Sequence, residues 1–485
     1  MSTQATRTAR ELAVRNPRTG QSDHVIQPLD AAALAALGDR LRQAQPAWAA
    51  AGVAHRAAVL REWAGRLLAD PGPVVDALST DTGRYRLALG EVQPLRGLVE
   101  GYAAMGSALL APAAERPSVA PGILVGTELV PYAVAGVISP WNFPFLLSTL
   151  DAIPALIAGC AVIVKPSEVT PRFIAPLMES LRQVPELAGV LAFIEGDGAT
   201  GAALIEESDI ICFTGSVATG RKVAESCARH FIPACLELGG KDPAIVLASA
   251  DPARAAEVIL RASVQATGQA CQSLERVYVQ RPIYEAFLAN LVAAARRIEL
   301  NYPDMRAGQM GPLIFARQAE IIAGQLADAR ARGAQVLTGG EIERHGGGSW
   351  LRPTVVSGVT HDMMLMTEET FGPVIPVMPF DDIDEAVRLA NDSQYGLSAA
   401  VFGDEAEARR VATRLDAGAV SINDGGLTTE AFDAEKNSFK LSGMGPSRMG
   451  PSGLLRFLRK RAVLIRRGPA KTMVDLDERG VAPGN

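Results

Sequence analysis

The chain is poor in cysteine: five in 485 residues, Cys160, Cys212, Cys227, Cys235 and Cys271. The number is odd and no pair has the spacing of a metal knuckle. That argues against a disulfide framework or a zinc site, and no metal is expected. A reducing, cytoplasmic setting is the default for such a chain. Long apolar runs are lacking too. The most apolar stretch, Ala152 to Val164, falls short of the ~20 residues a membrane span requires and carries a proline. The first twenty residues contain no apolar segment of the secretory kind. There are no repeats and no low-complexity tract. Before the C-terminal stretch Arg456 to Arg467 there is no long basic run, and the formal net charge is −6. No nucleic acid and no membrane is therefore expected as a partner.

What is present is a globular composition, 48% apolar and 21% charged, long enough for two large or three smaller units. Residues 1 to about 20 read as a loose arm. Residues 29 to 115 carry Ala, Leu and Arg at helical spacing. After residue 120 the pattern changes to short β-branched runs alternating with helical ones. Strands are expected at 133–139, 161–165, 191–195 and 210–213, with helices at 145–159, 171–183 and 201–207 between them. A second alternating region has strands at 243–247 and 275–280 and helices at 252–266 and 283–298. Strands joined by crossover helices imply open parallel sheets. The expected class is α/β: a Rossmann-like open parallel sheet, a second α/β domain, and a small β element. The strand-like Ala462-Val463-Leu464-Ile465 at the end of the chain suits pairing with another sheet or subunit.

Gly196-Asp197-Gly198-Ala199-Thr200-Gly201 matches the dinucleotide fingerprint GxGxxG. It follows a later strand, not the first one where that fingerprint usually sits, so an ordinary strand-to-helix turn explains it as well. A set of six motifs in order says more. These are Pro140-Trp141-Asn142-Phe143-Pro144, Lys165-Pro166-Ser167-Glu168, Phe213-Thr214-Gly215-Ser216, Glu237-Leu238-Gly239-Gly240-Lys241, Gly268-Gln269-Ala270-Cys271 and Glu368-Glu369-Thr370-Phe371-Gly372-Pro373. With them the chain resembles the aldehyde dehydrogenase superfamily, of the hydrolytic type, over nearly its whole length. The resemblance implies a dinucleotide-binding domain at 1–117 and 132–239, a catalytic domain at 240–441, and an oligomerisation element at 118–131 and 442–485.

It also implies NAD-dependent oxidation of an aldehyde to a carboxylic acid. An aldehyde carbon yields a hydride readily only once it is tetrahedral and negatively charged, and a thiolate achieves this by adding to the carbonyl. Cys271 stands in a polar loop and matches the family nucleophile; the other four cysteines read as small buried hydrophobes. Asn142, taken alone, is a turn former beside proline; by resemblance its amide donates to the developing oxyanion. Glu237, which taken alone is a carboxylate at a strand end, matches the general base that activates water against the thioester. Its presence favours hydrolysis over transfer to CoA. For the cofactor, the resemblance points to Lys165 and Glu168 at the adenosine ribose and Ser216 with Gly215 and Trp141 along the dinucleotide. It places Glu369 at the nicotinamide ribose and Phe371 beside the nicotinamide. A carboxylate at position 168 repels a 2′-phosphate and favours NAD over NADP.

Leu147, Gln265 and Gln272 are expected along the aldehyde tunnel. Many relatives carry Pro-Phe-Gly-Gly-x-Lys-x-Ser-Gly near the tunnel entrance, where this chain has Asn437-Ser438-Phe439-Lys440-Leu441-Ser442-Gly443. No arginine pair suited to a second carboxylate stands out. The expected substrate is thus an uncharged aliphatic or aromatic aldehyde. A semialdehyde acid, a CoA-acylating reaction and a catalytically silent binding protein are the alternatives. A homodimer or homotetramer is expected. The basic run Arg456, Arg459, Lys460 and Arg461 reads as a solvated helix face.

Overall fold

The structure is a computed structural model and describes residues 10–478. The expected N-terminal arm lies partly outside them. Its described part forms an antiparallel hairpin of Leu12–Arg15 with Ser22–Ile26. Five helices then follow between Ala31 and Leu109.

Two open sheets organise the rest. The first has six strands in the order Gly443–Met444, Ala234–Glu237, Ile210–Thr214, Val134–Ile138, Ala161–Lys165 and Leu191–Phe193. All are parallel except Gly443–Met444, which runs antiparallel along Ala234–Glu237. Counted along the chain, the five parallel strands take the order 5-4-1-2-3, the doubly wound arrangement. Val134–Ile138, Ala161–Lys165 and Ile210–Thr214 are buried along their whole length. Helices cover both faces, so these strands read as continuous apolar runs without alternation. Gly136, on the central strand, lies so close to its neighbours that a Cβ there would come within 2.4 Å of Ser208 Oγ.

The helix Pro144–Ala158 shows how sequence sets an element's limits. Proline opens it, where no amide bond is lost, and Gly159 closes it with φ +106. Here the backbone turns left-handed, and Gly159 N–H caps two carbonyls.

The second sheet has seven strands in the order Gln335–Thr338, Thr354–Ser357, Val374–Phe380, Leu274–Gln280, Asp242–Val246, Ser398–Phe402 and Ala419–Ile422. It is parallel except at Gln335–Thr338. A third, narrow sheet pairs Ile123–Pro131 with Leu458–Arg466 over nine residue pairs, with Arg116–Pro117 beside them.

Two expectations need correction. Residues 443–457 do not belong with the narrow sheet. Gly443–Met444 joins the first sheet, and Leu454 and Phe457 are buried in that sheet's core. The basic run is not a solvated helix face. Arg456 is buried and, with Arg448, ion-pairs with Asp151 inside the core; the Arg448 contact is 2.6 Å. Arg459, Lys460 and Arg461 lie on the strand Leu458–Arg466. Spacing could not reveal this, because the partner acid is some 300 positions away in sequence.

Candidate active site

A cleft of about 830 Å³ runs along the carboxyl ends of the first sheet. It spans the point where the strand order reverses, between Val134–Ile138 and its two neighbours, the usual place for a dinucleotide. Each parallel strand delivers its following residues to the wall. Trp141 and Asn142 follow the first strand, Lys165 ends the second and Glu168 follows it, and Asp197 and Gly198 follow the third. Gly215 and Ser216 follow the fourth, and Gly239 the fifth. Glu369, Phe371, Phe315, Leu147, Lys222, Arg317 and Cys271 also line it.

The glycine-rich turn 196–201 therefore does border the cleft. It also works as an ordinary helix start, since Asp197 caps the helix Gly198–Glu206 by accepting from Ala199 and Thr200 N–H.

Lys165 is buried, and its ammonium lies 3.3 Å from Glu168 Oε2. Burial lowers the lysine's pKa, and the carboxylate opposes that. Ser216 is the N-cap of the fourteen-residue helix Val217–His230 and accepts from Thr219 N–H at 3.3 Å. A capped helix start facing a cleft suits a phosphate-bearing ligand, and the Lys165–Glu168 pair offers a donor and an acceptor to hydroxyls. The residues present fit a nicotinamide dinucleotide.

Cys271 is held by a strained loop. Ala266, Thr267 and Gly268 are successively left-handed, with φ 56, 61 and 67. Two non-glycine residues there cost roughly 1 kcal/mol or more each. Several contacts offset this. Arg84 Nη1 donates to Ala266 O at 2.7 Å, and Thr267 Oγ1 donates to Gly311 O at 3.1 Å. A Cβ on Gly268 would lie 2.3 Å from the Gly372 carbonyl carbon, so only glycine lets these loops touch. Gln269 is fully buried, donating to Pro312 O and accepting from Ile314 N–H. Asn142 Nδ2 donates to Gln269 O at 3.0 Å, which draws it to the loop carrying Cys271.

Arg84 ties the arrangement together. Its Nη2 donates to Asn142 O at 2.7 Å while Nη1 holds Ala266. Its helical neighbour Glu91 accepts from Phe145 and Leu146 N–H at the start of the helix Pro144–Ala158. Burial pushes the Glu91 carboxyl up to about 8 and the Arg84 guanidinium down to about 10. The sequence reading missed both, for nothing separates them from other charged residues in a helix-rich stretch.

Glu237 ends its strand half-buried, and Ser438 Oγ donates to its Oε2 at 2.8 Å. Glu369 receives the N–H of Gly240 at 3.1 Å, and burial pushes its carboxyl up to about 8. The Glu369–Phe371 segment is fixed by a buried network. Lys241 Nζ contacts Glu275 Oε2 at 2.8 Å and Thr370 Oγ1 at 2.7 Å, while Glu275 accepts from Thr370 and Phe371 N–H. Phe371, with φ 50, stands edge-on to Trp141 at 5.2 Å. Burial pushes the Cys271 thiol up to about 12; Lys436 pulls it down, and Asp242, Glu237 and Glu369 push it further up.

Of the three residues expected along a tunnel, Leu147 lines the cleft. Gln265 does not: it is exposed, at the C-cap of the helix Pro252–Val264, because the left-handed turn that follows carries the chain inward only from Ala266. Gln272 lies off the cleft and receives the hydroxyl of Thr428.

Residues 4–463 match the model of the aldehyde dehydrogenase family. The chain belongs to the aldehyde dehydrogenase family. It is an NAD(P)-dependent oxidoreductase that converts an aldehyde to a carboxylic acid. It is 36% identical to a Mycolicibacterium smegmatis protein named for NADP-dependent succinate-semialdehyde dehydrogenase activity, over 93% of this chain and 87% of that one. The solved structure named aldehyde dehydrogenase PutA from Anabaena variabilis is 50% identical, with a TM-score of 0.93 over 96% of this chain and 99% of that one. Betaine aldehyde dehydrogenase from Staphylococcus aureus, solved with NAD+, is 27% identical, with a TM-score of 0.89 over 95% and 93% of the two chains. Among the described residues no helix is long and apolar enough to cross a membrane.

Proposed function

We propose that Cys271 is the nucleophile, Asn142 an oxyanion donor and Glu237 the general base of this aldehyde dehydrogenase. The observation that carries this reading is that Cys271 opens onto the same cleft as Lys165, Glu168 and Ser216. The thiolate of Cys271 adds to the aldehyde carbon and makes a tetrahedral thiohemiacetal. Asn142 spends one amide N–H on Gln269 O and has a second for the negative oxygen. The bound dinucleotide supplies a hydride acceptor. Glu237 then takes a proton from water as that water attacks the thioester, and Ser438 keeps the carboxylate in place. Lys165, Glu168, Gly215, Ser216 and Trp141 hold the dinucleotide, with Glu369 and Phe371 at its nicotinamide end. Glu168 favours NAD over NADP by repelling a 2′-phosphate.

The substrate is an uncharged aliphatic or aromatic aldehyde. Trp141, Phe371, Phe315 and Leu147 give apolar walls. Three buried arginines are committed, Arg84 to carbonyls and Arg448 and Arg456 to Asp151, whereas Arg317 at the cleft wall is exposed. The name of the M. smegmatis relative supports a second reading, a semialdehyde acid. Ranking kcat/KM over aldehydes with and without a remote carboxylate separates the two, and omission of CoA tests hydrolysis. Preference for the carboxylated series would favour the second reading, and a requirement for CoA would remove Glu237 from the base role.

The molecule divides into a dinucleotide domain around the first sheet, a catalytic domain around the second, and a projecting narrow sheet. Strand Leu458–Arg466 is that sheet's outer edge, with Leu464 66% exposed. Its free edge is apolar only over Ala462–Ile465, and that stretch supports pairing with a second copy, as a homodimer or homotetramer. Its thiols suit the cytoplasm.

A further inference from the structure

Among the described residues, the cations that line the cleft are Lys165, Lys222 and Arg317. Lys165 is ion-paired with Glu168. Lys222 is exposed, and among the described residues no carboxylate lies within 4.0 Å of its ammonium. None of the six sequence motifs contains it.

Packing fixes which end of the cleft Lys222 belongs to. It stands on the helix Val217–His230, whose Thr219, Lys222, Val223 and Ser226 all line the cavity. Spacings of three and four put these four on one helix face. That helix packs against the helix Gly198–Glu206, whose Gly201, Ala202 and Ile205 also line the cavity. Gly201 in turn lies against the stem of Lys165, where a Cβ would come within 3.7 Å of Lys165 Cδ. The two helices, Lys165 and its partner Glu168 therefore border the same end, the one assigned to the adenosine ribose, and Lys222 is part of it.

The charges at this end are unequal in their freedom. Asp197 is taken up by Arg10 and by the start of the helix it caps. Glu168 faces Lys165. Lys222 alone has no partner. A carboxylate beside the adenosine ribose selects for a free 2′-hydroxyl, and a cation nearby accommodates a 2′-phosphate. A lysine suits that task, since it carries a compact charge with three donors on a flexible four-carbon stem.

We propose that Lys222 is a specificity residue of the dinucleotide site, the counter-charge for a 2′-phosphate on the adenosine ribose, through which the enzyme accepts NADP beside NAD. The proposal rests on the dinucleotide reading of the cleft. Glu168 and Lys222 act as opposed charges. The carboxylate holds the free hydroxyl of NAD, and the ammonium holds the phosphate of NADP. The preference for NAD set by Glu168 remains but is narrowed.

The test is direct binding to the full-length enzyme without aldehyde, read by quenching of tryptophan fluorescence, since Trp141 lines the cleft. Kd for NAD and for NADP is measured for wild type, Lys222→Met, Lys222→Arg and Glu168→Gln. Lys222 is exposed on a helix and methionine is a comparable helix former, so the fold should be unaffected. Lys222→Met should weaken NADP binding by about tenfold, the size of one charge-assisted contact, and leave NAD within about twofold. The difference should shrink as salt rises. Lys222→Arg should retain NADP binding, and Glu168→Gln should tighten it. An equal loss of NAD and NADP in Lys222→Met overturns the proposal, because Lys222 would then serve phosphates that the two cofactors share. Unchanged Kd values for both overturn it too, as does a wild type that binds NAD and not NADP. A wild type that bound neither dinucleotide would sink the cofactor reading itself, and this proposal with it, a result distinct from the others.

Discussion

Arg84 holds the carbonyl of Asn142 at 2.7 Å and, through its other terminal nitrogen, the carbonyl of Ala266 at the same distance. One guanidinium from the helical N-terminal region thereby sets the spacing between the oxyanion donor and the loop of the nucleophile. Arg84→Met should lower kcat by about 10²-fold through misplacement of these loops, with little change in NAD affinity. Arg84→Lys, able to reach one carbonyl, should fall between. Steady-state kinetics beside a dinucleotide titration checks this; equal loss of NAD binding would make Arg84 merely a fold residue.

Cys271→Ala removes the sulfur and should abolish aldehyde oxidation while leaving dinucleotide binding nearly intact. Titration of intrinsic tryptophan fluorescence with NAD reads the second property directly, because Trp141 lines the cleft.

Glu237→Gln should separate the two halves of turnover. Rapid mixing with aldehyde and NAD should give one equivalent of NADH in a burst, then a steady rate at least 10²-fold slower. Ser438→Ala, which removes the donor to Glu237 Oε2, should slow the second phase more mildly. A uniform slowing of both phases would contradict the assignment.

The pH behaviour has two signs. Cys271, pushed up to about 12 in the free enzyme, should make kcat/KM climb from neutral into alkaline pH as its thiolate fraction grows. Stability should move the other way. Glu91 is raised from 4.5 to about 8 on folding, so the folded state holds a proton that the unfolded chain has released. That contribution is complete below pH 4.5 and is lost as pH rises to 8. Glu91→Gln keeps an acceptor for Phe145 and Leu146 N–H and should flatten this part of the Tm profile. An unchanged slope would show that Glu91 is not its source.

Much of this was legible in the chain. The strand Ala161–Lys165 came out at its expected limits, because a short β-branched run reads as a buried strand by its length and residue types where periodicity alone does not decide. Trp141, Asn142, Lys165, Glu168, Gly215 and Ser216 all fall at or just after the carboxyl ends of parallel strands, and sheet topology gathers such positions by itself. Other features depended on distant partners. Arg84 and Arg456 look like surface arginines until Asn142 and Asp151 are beside them. That Gln265 is exposed and off the cleft was not legible, because two left-handed residues, Ala266 and Thr267, follow it, and neither is a residue type that signals such a turn.

The central claim is that Cys271 carries the acyl group during turnover. Acid quenching of the Glu237→Gln enzyme during reaction with aldehyde and NAD, followed by digestion and mass mapping, tests it most directly. The expected result is a stoichiometric mass increase on the peptide containing Cys271, hydroxylamine-labile as a thioester is. NADH formation with that peptide unmodified, or an adduct on another residue, would contradict it.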